Sequence, residues 1–348
     1  MPYNNAMSHL QIILPFSIPP AAMTANILKE LQTPALAKLI AHSKQGHIRV
    51  IEDFSRLLPH ESLLAGTMLL DDAAAQPLDS QNSPAITYNK MQQCGLTPTE
   101  GFWFTVSPVH IHIARDHLVL TDQRKLAMSD DEAHALFEAA KILCEEVGKT
   151  LLYGDAKNWF LRADEWQTLQ TSTMDAACGH NIDIWMPKGD LGIFWRKLQN
   201  EIQMSWFISE VNAKREARGD ALLNSIWLHS GSANLTTTPQ ILDATLSLDD
   251  ILVQTKPQEP QILNLNALLA PALNNDWPAW LDAMHTLETD WFAPVLCALS
   301  EKKIHSLSLI ATDANTVTSF RLTPRSLWKF WTPPSLDKLF SLATPESL

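Results

Sequence analysis

Glycine is unusually scarce in this chain, and its scarcity limits the turns and loops that the backbone can form. Only 11 of the 348 residues are glycine, and none follows Gly231. At the usual share, a chain of this length would carry roughly 24 glycines. Only a residue without a side chain lets the backbone turn freely at positive φ close to a phosphate. The sequence therefore excludes the G-x-G-x-x-G loop of dinucleotide-binding proteins and the G-x-x-x-x-G-K-S/T loop of nucleotide hydrolases.

The chain is also acidic, with 26 basic and 38 acidic side chains and a net charge of −12. Bulk charge of this sign does not attract nucleic acid or an anionic membrane surface, so we expect neither as a partner. No run of about 18 apolar residues occurs that could span a bilayer. The first apolar stretch, Ile12 to Ile18, is broken by Pro15 and follows no basic residue, which is not typical of a signal peptide.

The cysteines lie far apart in the sequence and form no C-x-x-C pair. This spacing is typical of free thiols in a reducing compartment, and not of a disulfide framework or a zinc site. Together with the expected lack of a signal peptide, it predicts a cytoplasmic protein. The four residues are Cys94, Cys144, Cys178 and Cys297.

Apolar patterns predict that helices and short strands alternate along much of the chain. Leu10–Leu14 predicts a short buried strand, and Ser129 with Glu132 forms a capping box for a helix that ends at Gly148. Alternation of this kind favours the α/β class with a mainly parallel sheet. Further helices are predicted over Thr33–His42, from Asp190 past Val211 and over Pro278–Leu299, and further strands over Val109–Ile113, Ser225–Leu228 and Leu307–Ala311.

Two polar stretches divide the chain. Residues 71–101 are rich in Pro, Gln, Asn, Ser and Thr, which predicts a long surface excursion. Residues 255–261 are polar and twice interrupted by proline, which favours a linker. The sequence therefore predicts one α/β region over 1–254 and a C-terminal segment over 262–348.

The densest set of possible metal ligands lies near residue 112. On a strand, His110 and His112 would share one face, and Asp116 and His117 follow closely, so that imidazole nitrogens and a carboxylate could meet at a divalent metal. The alternative is a solvated strand face that happens to carry histidines, because no partner motif such as H-E-x-x-H accompanies them.

Two other segments could bind a partner or a ligand. Between Lys188 and Arg218 basic and acidic residues are interleaved, so Arg215 and Arg218 could line an anion pocket at a helix end or belong to a solvated face with local ion pairs. Near the C-terminus, Trp328, Phe330 and Trp331 could form a partner surface. The sequence Ser230-Gly231-Ser232 does not match the G-x-S-x-G nucleophile elbow, and no catalytic serine is predicted there.

Between Asn212 and Ile226 the chain reads N-x-x-R-x-x-x-G and then N-x-I. This block resembles the cofactor-independent phosphoglycerate mutases of the archaeal type. In that family a helix carries N-x-x-R-x-x-x-G and leads to a strand that begins N-x-I/V. Asn212, Arg215, Gly219 and Asn224 fill these positions here. The resemblance implies the fold of the alkaline phosphatase superfamily, a three-layer α/β/α core with a mainly parallel sheet, to which residues 262–348 would contribute.

Longer stretches resemble the RpfE-type regulatory proteins, a group related to these mutases. The matching stretches are Pro108–Asp122, Ile182–Pro187, Asp290–Pro294 and Leu327–Trp331. This resemblance covers nearly the whole chain, and it implies a regulatory role more than a particular activity.

The chain departs from the mutase pattern where the family carries its chemistry. The family has a metal-binding aspartate directly after the first strand, whereas this chain has Pro15 to Ile18 there. The family's aspartate–histidine metal pair corresponds to Asp313 and Ala314, so the histidine is missing. The family's nucleophilic serine lies in a glycine-rich turn, but no glycine lies near Ser80 and Ser83. No catalytic residue is therefore assigned.

These departures lead to the main expectation, a catalytically degenerate protein without a cofactor that binds a protein partner or a small anionic ligand. The alternative is an active phosphotransferase or phosphatase with a rearranged site and a divalent metal such as manganese. In the first case Asn212, Arg215, Arg218 and Asn224 could keep an anion pocket. Equally, the asparagines could cap the helix–strand junction while the arginine pairs with a carboxylate.

Overall fold

The computed structural model describes residue 7 and residues 9–68, 80–98, 100–254, 260–329 and 331–343. Two compact units divide the chain. The first unit combines residues 1–51 and 68–76 with residues 238–348, and the second combines residues 52–67 with residues 77–237. The boundaries differ from the expected division near residue 255, because the second unit is inserted between the first strand and the later strands of the same sheet.

Thirteen strands are formed by the described residues. They are β1 (Leu10–Leu14), β2 (Lys44–Gln45), β3 (Arg49–Val50), β4 (Trp103–Val109), β5 (Ile111–Ala114), β6 (His117–Leu120), β7 (Thr150–Tyr153), β8 (Trp159–Arg162), β9 (Ser225–Ser232), β10 (Ile241–Leu242), β11 (Gln261–Asn264), β12 (Leu307–Thr312) and β13 (Thr316–Leu322).

Thirteen α-helices accompany these strands in the described part of the chain. They are α1 (Ala21–Glu30), α2 (Pro34–His42), α3 (Pro59–Leu64), α4 (Thr87–Gln93), α5 (Asp130–Glu146), α6 (Met174–Ala177), α7 (Gly192–Phe207), α8 (Glu210–Arg218), α9 (Leu248–Gln254), α10 (Leu269–Leu273), α11 (Trp277–Leu287), α12 (Ala293–Ser300) and α13 (Asp337–Phe340). A π-helical turn, Glu288–Phe292, joins α11 to α12.

The first unit is built on a mainly parallel sheet, with strand order β10-β11-β1-β12-β13-β2 and β3 also paired with β13. Strands β10, β11, β1 and β12 run parallel, and β13 turns back antiparallel to β12. Leu10 lies beside both Gln261 and Leu307. The apolar run of β1 suits a strand between two neighbours under helices, since both faces of a parallel sheet are covered. The α/β class with a mainly parallel central sheet is therefore confirmed.

Helices of the first unit pack their apolar faces into one core with this sheet. Leu39 of α2, Trp280 and Met284 of α11 and Val295 of α12 are all fully buried in it. The carboxylate of Glu288 accepts hydrogen bonds from the amides of Ala35 (2.5 Å) and Leu36 (3.1 Å) at the start of α2. A negative charge at a helix N-terminus is stabilised by the free amides there, so Glu288 fixes α2 against the π-helical turn.

The second unit is built on an antiparallel sheet, order β7-β8-β4-β9, which the alternation of predicted helices and strands did not indicate. Its core includes the indoles of Trp159 of β8 and of Trp195 and Trp206 of α7, together with apolar side chains of α5. The capping box of Ser129 and Glu132 begins α5 as predicted. Strands β5 and β6 form a separate hairpin.

Three predicted segments differ from the structure. The helix expected from Asp190 past Val211 is two helices, α7 and α8, because Ser209 caps α8 by accepting a hydrogen bond from the amide of Asn212. Of the expected surface excursion, residues 71–79 lie outside the described residues, whereas residues 80–98 contain α4, whose Met91 is fully buried. Of the expected linker, residues 255–259 also lie outside the described residues, and Gln261 already belongs to β11.

The strand expected over Val109–Ile113 is interrupted at His110, where β4 ends and β5 begins. Val109 is buried, but Ile113 is 76% exposed, so the two do not share a buried face. The described helices include none that is long and apolar enough to cross a membrane.

Candidate functional site

The two predicted asparagines of the anion pocket are held by backbone groups. The side chain of Asn212 donates to Trp206 O (2.9 Å) and Leu223 O (2.8 Å) and accepts from the amide of Leu223 (2.9 Å). The side chain of Asn224 accepts from the amide of Ile111 (2.8 Å) and donates to its carbonyl (2.7 Å). Both amides thus connect α8 and β9 to their neighbours, as expected of residues at a helix–strand junction.

The two predicted arginines share one carboxylate. Arg215, 1% exposed, donates to Ala221 O (2.8 Å) and to Glu132 Oε2 (2.8 Å). Arg218, which is half exposed, donates to Glu132 Oε1 (2.5 Å) and to Asp220 Oδ2 (2.8 Å). The paired arginines hold the pKa of Glu132 below its usual value, although burial opposes this. These contacts join α8 to the start of α5, and the anion pocket stays a prediction.

The histidines near residue 112 are brought together in part. The rings of His110 and His112 stack with centroids 5.8 Å apart and planes 11° from parallel. Because nitrogen lone pairs lie in the ring plane, stacked rings do not direct them toward one ion. His117 pairs instead with Asp116 at 3.1 Å. Among the described residues, no group of three or more His, Cys, Asp or Glu side chains is placed to share a metal ion.

The carboxyl ends of the parallel strands are where α/β folds usually bind ligands. β1 leads there into Phe16 and the buried Ser17, and β12 ends at the buried Thr312. Carboxylates follow two parallel strands, β10 at Asp243 and β12 at Asp313. Since β11 and β1 lie between them, three strand spacings separate the two chains, a distance of about 14 Å.

Both of these carboxylates are engaged in their own turns. Asp313 Oδ1 accepts hydrogen bonds from the amides of Asn315 (2.8 Å) and Thr316 (2.5 Å), which closes the turn between β12 and β13. Burial nevertheless raises the pKa of Asp313. Asp243 Oδ1 accepts from the amide (2.9 Å) and hydroxyl (2.8 Å) of Thr245. The edge of the sheet thus holds two separated carboxylates with local structural roles.

Titratable groups gather in the interior of the second unit, which sequence reasoning missed. Burial and the nearby Asp175 raise the pKa of Glu61 to about 8. Its carboxylate accepts hydrogen bonds from the amide of Leu58 (2.7 Å) and the hydroxyl of Thr173 (2.7 Å). Burial also lowers the pKa of the neighbouring His60 to about 4, and the pKa of Lys90 is lowered for the same reason. No sequence motif surrounds these residues, so nothing in the sequence marked them.

Serines and a histidine form a buried network in the same unit. Ser230, with φ of +59° within β9, donates from its amide to Ser83 Oγ (2.7 Å), and its hydroxyl lies 2.9 Å from His229 Nδ1. Ser107 Oγ lies 3.4 Å from His229 Nε2. Burial, with Lys90 nearby, lowers the pKa of His229 well below its usual value. Because each of these side chains is at most 5% exposed, the network braces β4 and β9 and offers no accessible nucleophile.

A cleft of about 360 Å³ opens on the second unit between the start of β7 and α7. The ammonium of Lys149 lies 5.1 Å from the centroid of the Trp166 ring and pairs with Glu165. An apolar cleft with a few charged groups is typical of binding sites. Its lining residues are Val147, Lys149, Glu165, Trp166, Leu191, Phe194, Lys197, Leu198 and Glu201.

The aromatic set near the C-terminus lies in the first unit. Trp328 and Trp331 are 67% and 69% exposed. Phe330 lies outside the described residues. The set stays a prediction as a partner surface.

No model of a known protein family matches this sequence, and no curated protein is similar to it at a significant level. Among solved structures, the chain is similar to a cofactor-independent phosphoglycerate mutase from Thermoplasma acidophilum, with 14% identity over 98% of this chain and 95% of that one and a TM-score of 0.39. It is also similar to the PH0037 protein from Pyrococcus horikoshii, with 11% identity over 99% and 100% of the two chains and a TM-score of 0.49. Neither likeness reaches 0.5, so the fold class rests on the sheets described above.

Proposed function

We propose that this chain is a catalytically degenerate relative of the phosphoglycerate mutases that its sequence resembles, and that it acts by binding in a regulatory role. The observation that carries the proposal is the arrangement of carboxylates at the carboxyl ends of the parallel strands. Two-metal phosphoryl transfer needs ligands that hold two ions about 4 Å apart. Asp243 and Asp313 follow strands about 14 Å apart and each closes its own turn.

The two residues that follow Pro15 after β1, the strand next to β12, supply no carboxylate. Phe16 and Ser17 follow β1, where the mutase pattern has its first metal-binding aspartate. The carbonyl of Phe16 accepts a hydrogen bond from the indole of Trp280 (2.9 Å), and the hydroxyl of Ser17 donates to Leu14 O (2.9 Å). The position is thus filled by an apolar side chain and a locally bonded hydroxyl, which supports the loss of two-metal catalysis.

Other parts of the proposal rest on the sequence. The resemblance to RpfE-type proteins supports a regulatory role, with a protein partner or a small anionic ligand. The four cysteines, all free thiols in the structure, support a cytoplasmic location.

The proposal is tested by incubating the purified chain with manganese or magnesium and measuring interconversion of 2- and 3-phosphoglycerate and hydrolysis of a simple aryl phosphate. We expect no metal-dependent turnover above the background of the assay. The matched control is Asp313→Asn, which keeps an oxygen for the turn but removes the charge that a metal would need. Metal-dependent turnover at an enzyme-like rate that is lost in Asp313→Asn would overturn the proposal.

The second candidate is an active, metal-dependent phosphotransferase or phosphatase with a rearranged site. The buried cluster of the second unit favours it, because a carboxyl group with a pKa of about 8, such as Glu61, is suited to acid–base catalysis near neutral pH. Turnover that requires manganese and disappears in Glu61→Gln, while folding is unchanged, would support this candidate. Unchanged turnover in Glu61→Gln would remove Glu61 from it.

A further inference from the structure

The cleft of about 360 Å³ in the second unit has one wall formed by a single side of α7. The residues of this wall recur at spacings of three, four and three, which places them on one side of the helix. Small-molecule sites measure roughly 300–1,000 Å³, so this volume matches a ligand of metabolite size. The residues of the wall are Leu191, directly before α7, and Phe194, Leu198 and Glu201.

Part of the apolar lining of the cleft is still open to water. Phe194 is 57% exposed and Val147 is 44% exposed, whereas Leu198 and Trp166 are buried. When an apolar group binds over exposed apolar side chains, the gain is roughly proportional to the area that is removed from water. The cleft therefore favours a ligand with an apolar body.

The charged side chains of the cleft are two lysines and two glutamates, which form two ion pairs. Lys149 pairs with Glu165, and Lys197 pairs with Glu201. Their charges sum to zero. A ligand with a single charge would add that charge to a neutral set, whereas a ligand with one positive and one negative group keeps the sum at zero and can pair with a lysine and a glutamate at once. Charge complementarity therefore favours a zwitterion.

Lys149 is the more enclosed of the two cations. Its side chain is 11% exposed, whereas that of its partner Glu165 is 52% exposed and can turn toward water. The amide of Lys149 donates to Cys144 O (2.8 Å), which fixes the backbone at the end of α5, and the ammonium lies 5.1 Å from the centroid of the Trp166 ring. Burial lowers the pKa of Lys149, although Asp164 opposes this. Because water and salt screen an enclosed charge less than an exposed one, Lys149 offers the stronger attraction to a ligand carboxylate.

Glu201 is the more available of the two carboxylates. It lies 3.9 Å from the ammonium of Lys197, which is longer than the about 2.7–2.9 Å of a charge-assisted hydrogen bond. Its side chain is 39% exposed. It also belongs to the side of α7 that carries Phe194 and Leu198, so a ligand that covers these side chains lies along the same wall.

We propose that this cleft binds a small zwitterion with an apolar body, the chemistry of a free amino acid with a large apolar side chain. The ligand carboxylate pairs with Lys149 in place of Glu165, the ligand ammonium pairs with Glu201, and the apolar side chain covers Phe194. This site does not depend on the loss of catalysis, because all of its lining residues belong to the second unit, whereas Asp243 and Asp313 belong to the first. The turnover assay and the binding experiments below can therefore fail separately.

The first test is isothermal titration calorimetry of the full chain with three related compounds. L-phenylalanine carries both charges, 3-phenylpropionate lacks the ammonium, and 2-phenylethylamine lacks the carboxylate. A ligand of about a dozen non-hydrogen atoms gains limited binding free energy, so we expect a dissociation constant on the order of 100 µM for L-phenylalanine. Each analogue with a single charge should bind at least about tenfold more weakly. The proposal would be overturned if neither L-phenylalanine nor L-leucine bound at up to about 10 mM, or if 3-phenylpropionate bound as tightly as L-phenylalanine.

The second test uses variants of the wall. Phe194→Ser should weaken the binding of L-phenylalanine by at least about fivefold. Its matched control is Phe207→Ser, on the same helix but outside the lining of the cleft, where the side chain is 78% exposed. Equal weakening by the two variants would contradict binding in this cleft.

The third test uses the predicted partner of the ligand ammonium. Glu201→Gln should weaken the binding of L-phenylalanine by about tenfold and leave that of 3-phenylpropionate unchanged, so that the preference between the two compounds is lost. Loss of the fold would lower both affinities together. The matched control is Glu210→Gln on α8, because Glu210 also pairs with a lysine one helical turn away, Lys214. A preference for L-phenylalanine that persists in Glu201→Gln would show that Glu201 does not bind the ammonium, and the proposed arrangement would be wrong.

Discussion

The two units of this protein use buried polar groups in different ways. In the first unit the buried Glu288 and the partly buried Asp313 bind amides close to a helix end or within one turn. In the second unit the buried Arg56 donates to carbonyls of a distant segment, including those of Gln170 (3.2 Å) and Met186 (3.3 Å), and to the hydroxyl of Ser172 (2.8 Å).

This difference follows from how each sheet is covered. The parallel sheet of the first unit packs with helices, whose apolar faces provide the core, and Glu288 and Asp313 each accept from two backbone amides there. The antiparallel sheet of the second unit is covered in part by the segment between β8 and α7, whose short helical turns satisfy only part of its backbone groups. Buried charged side chains, such as Arg56, bind the remaining backbone carbonyls. Substitutions of such groups should therefore cost much more in the second unit than in the first.

The largest effect is expected for Arg56→Ala. The guanidinium is 3% exposed, and it binds the carbonyls of Gln170, Ile184, Trp185 and Met186. Several buried carbonyls would lose a charged donor at once, so we expect the free energy of unfolding to fall by about 4 kcal/mol. Denaturant unfolding followed by tryptophan fluorescence measures this. Arg56→Lys keeps the charge but not the planar guanidinium. Its free energy of unfolding should lie between that of the original chain and that of Arg56→Ala. A loss below about 1 kcal/mol in Arg56→Ala would contradict this role of Arg56.

The second-largest loss in the free energy of unfolding is expected for Arg215→Ala. Its removal deprives Glu132, whose side chain is 15% exposed, of a buried partner, and it leaves Ala221 O without a donor. Breaking a buried pair from one side costs about 3 kcal/mol. Arg218→Ala is the matched control, because it removes the other, half-exposed partner of the same carboxylate. A smaller loss is expected there. If Arg215→Ala lowered the affinity for an anion without lowering stability, the predicted anion pocket would be supported over the structural role.

The shifted pKa values of the buried cluster should make the stability of the second unit depend on pH on both its alkaline and its acidic side. Because the pKa of Glu61 is raised to about 8, the folded state binds a proton that the unfolded state has lost, and stability falls as the pH rises toward 8. One proton corresponds to a slope of about 1.4 kcal/mol per pH unit, or about 2 kcal/mol between pH 6.5 and 8. Below pH 6.5 the buried His60 and His229 act in the opposite sense, because their pKa values are lowered and only the unfolded state takes up protons.

The variant Glu61→Gln separates these contributions. It should abolish the loss of stability between pH 6.5 and 8 and keep the loss on the acidic side, which depends on the histidines. Unfolding free energies at half-unit pH intervals measure both. An unchanged alkaline slope would show that a group other than Glu61 titrates there.

The sequence predicted what local signals determine. The bounds of β1 agree with the apolar run Leu10–Leu14, and α5 begins at the capping box of Ser129, because both depend on residues within a few positions. The pairing of β1 with β11 was not predictable. It joins Leu10 to Gln261, and neither segment carries a local pattern that identifies its partner strand. Arg56 and Glu61 were missed for the same reason. Their burial depends on the segment around residues 170–186, and a single arginine or glutamate looks the same in the sequence whether it is exposed or buried.

The smallest loss in the free energy of unfolding is expected for substitutions of Asp313, at the carboxyl ends of the parallel strands. Asp313→Ala removes the acceptor for two amides of one turn, so it should lower the free energy of unfolding by about 1 kcal/mol. Asp313→Asn should lower it less, because the amide oxygen can still accept from Asn315 and Thr316. Denaturant unfolding measures both variants. If added manganese stabilised the original chain but not Asp313→Asn, Asp313 would be a metal ligand. The difference between the two units would then reflect a retained reaction centre in the first unit.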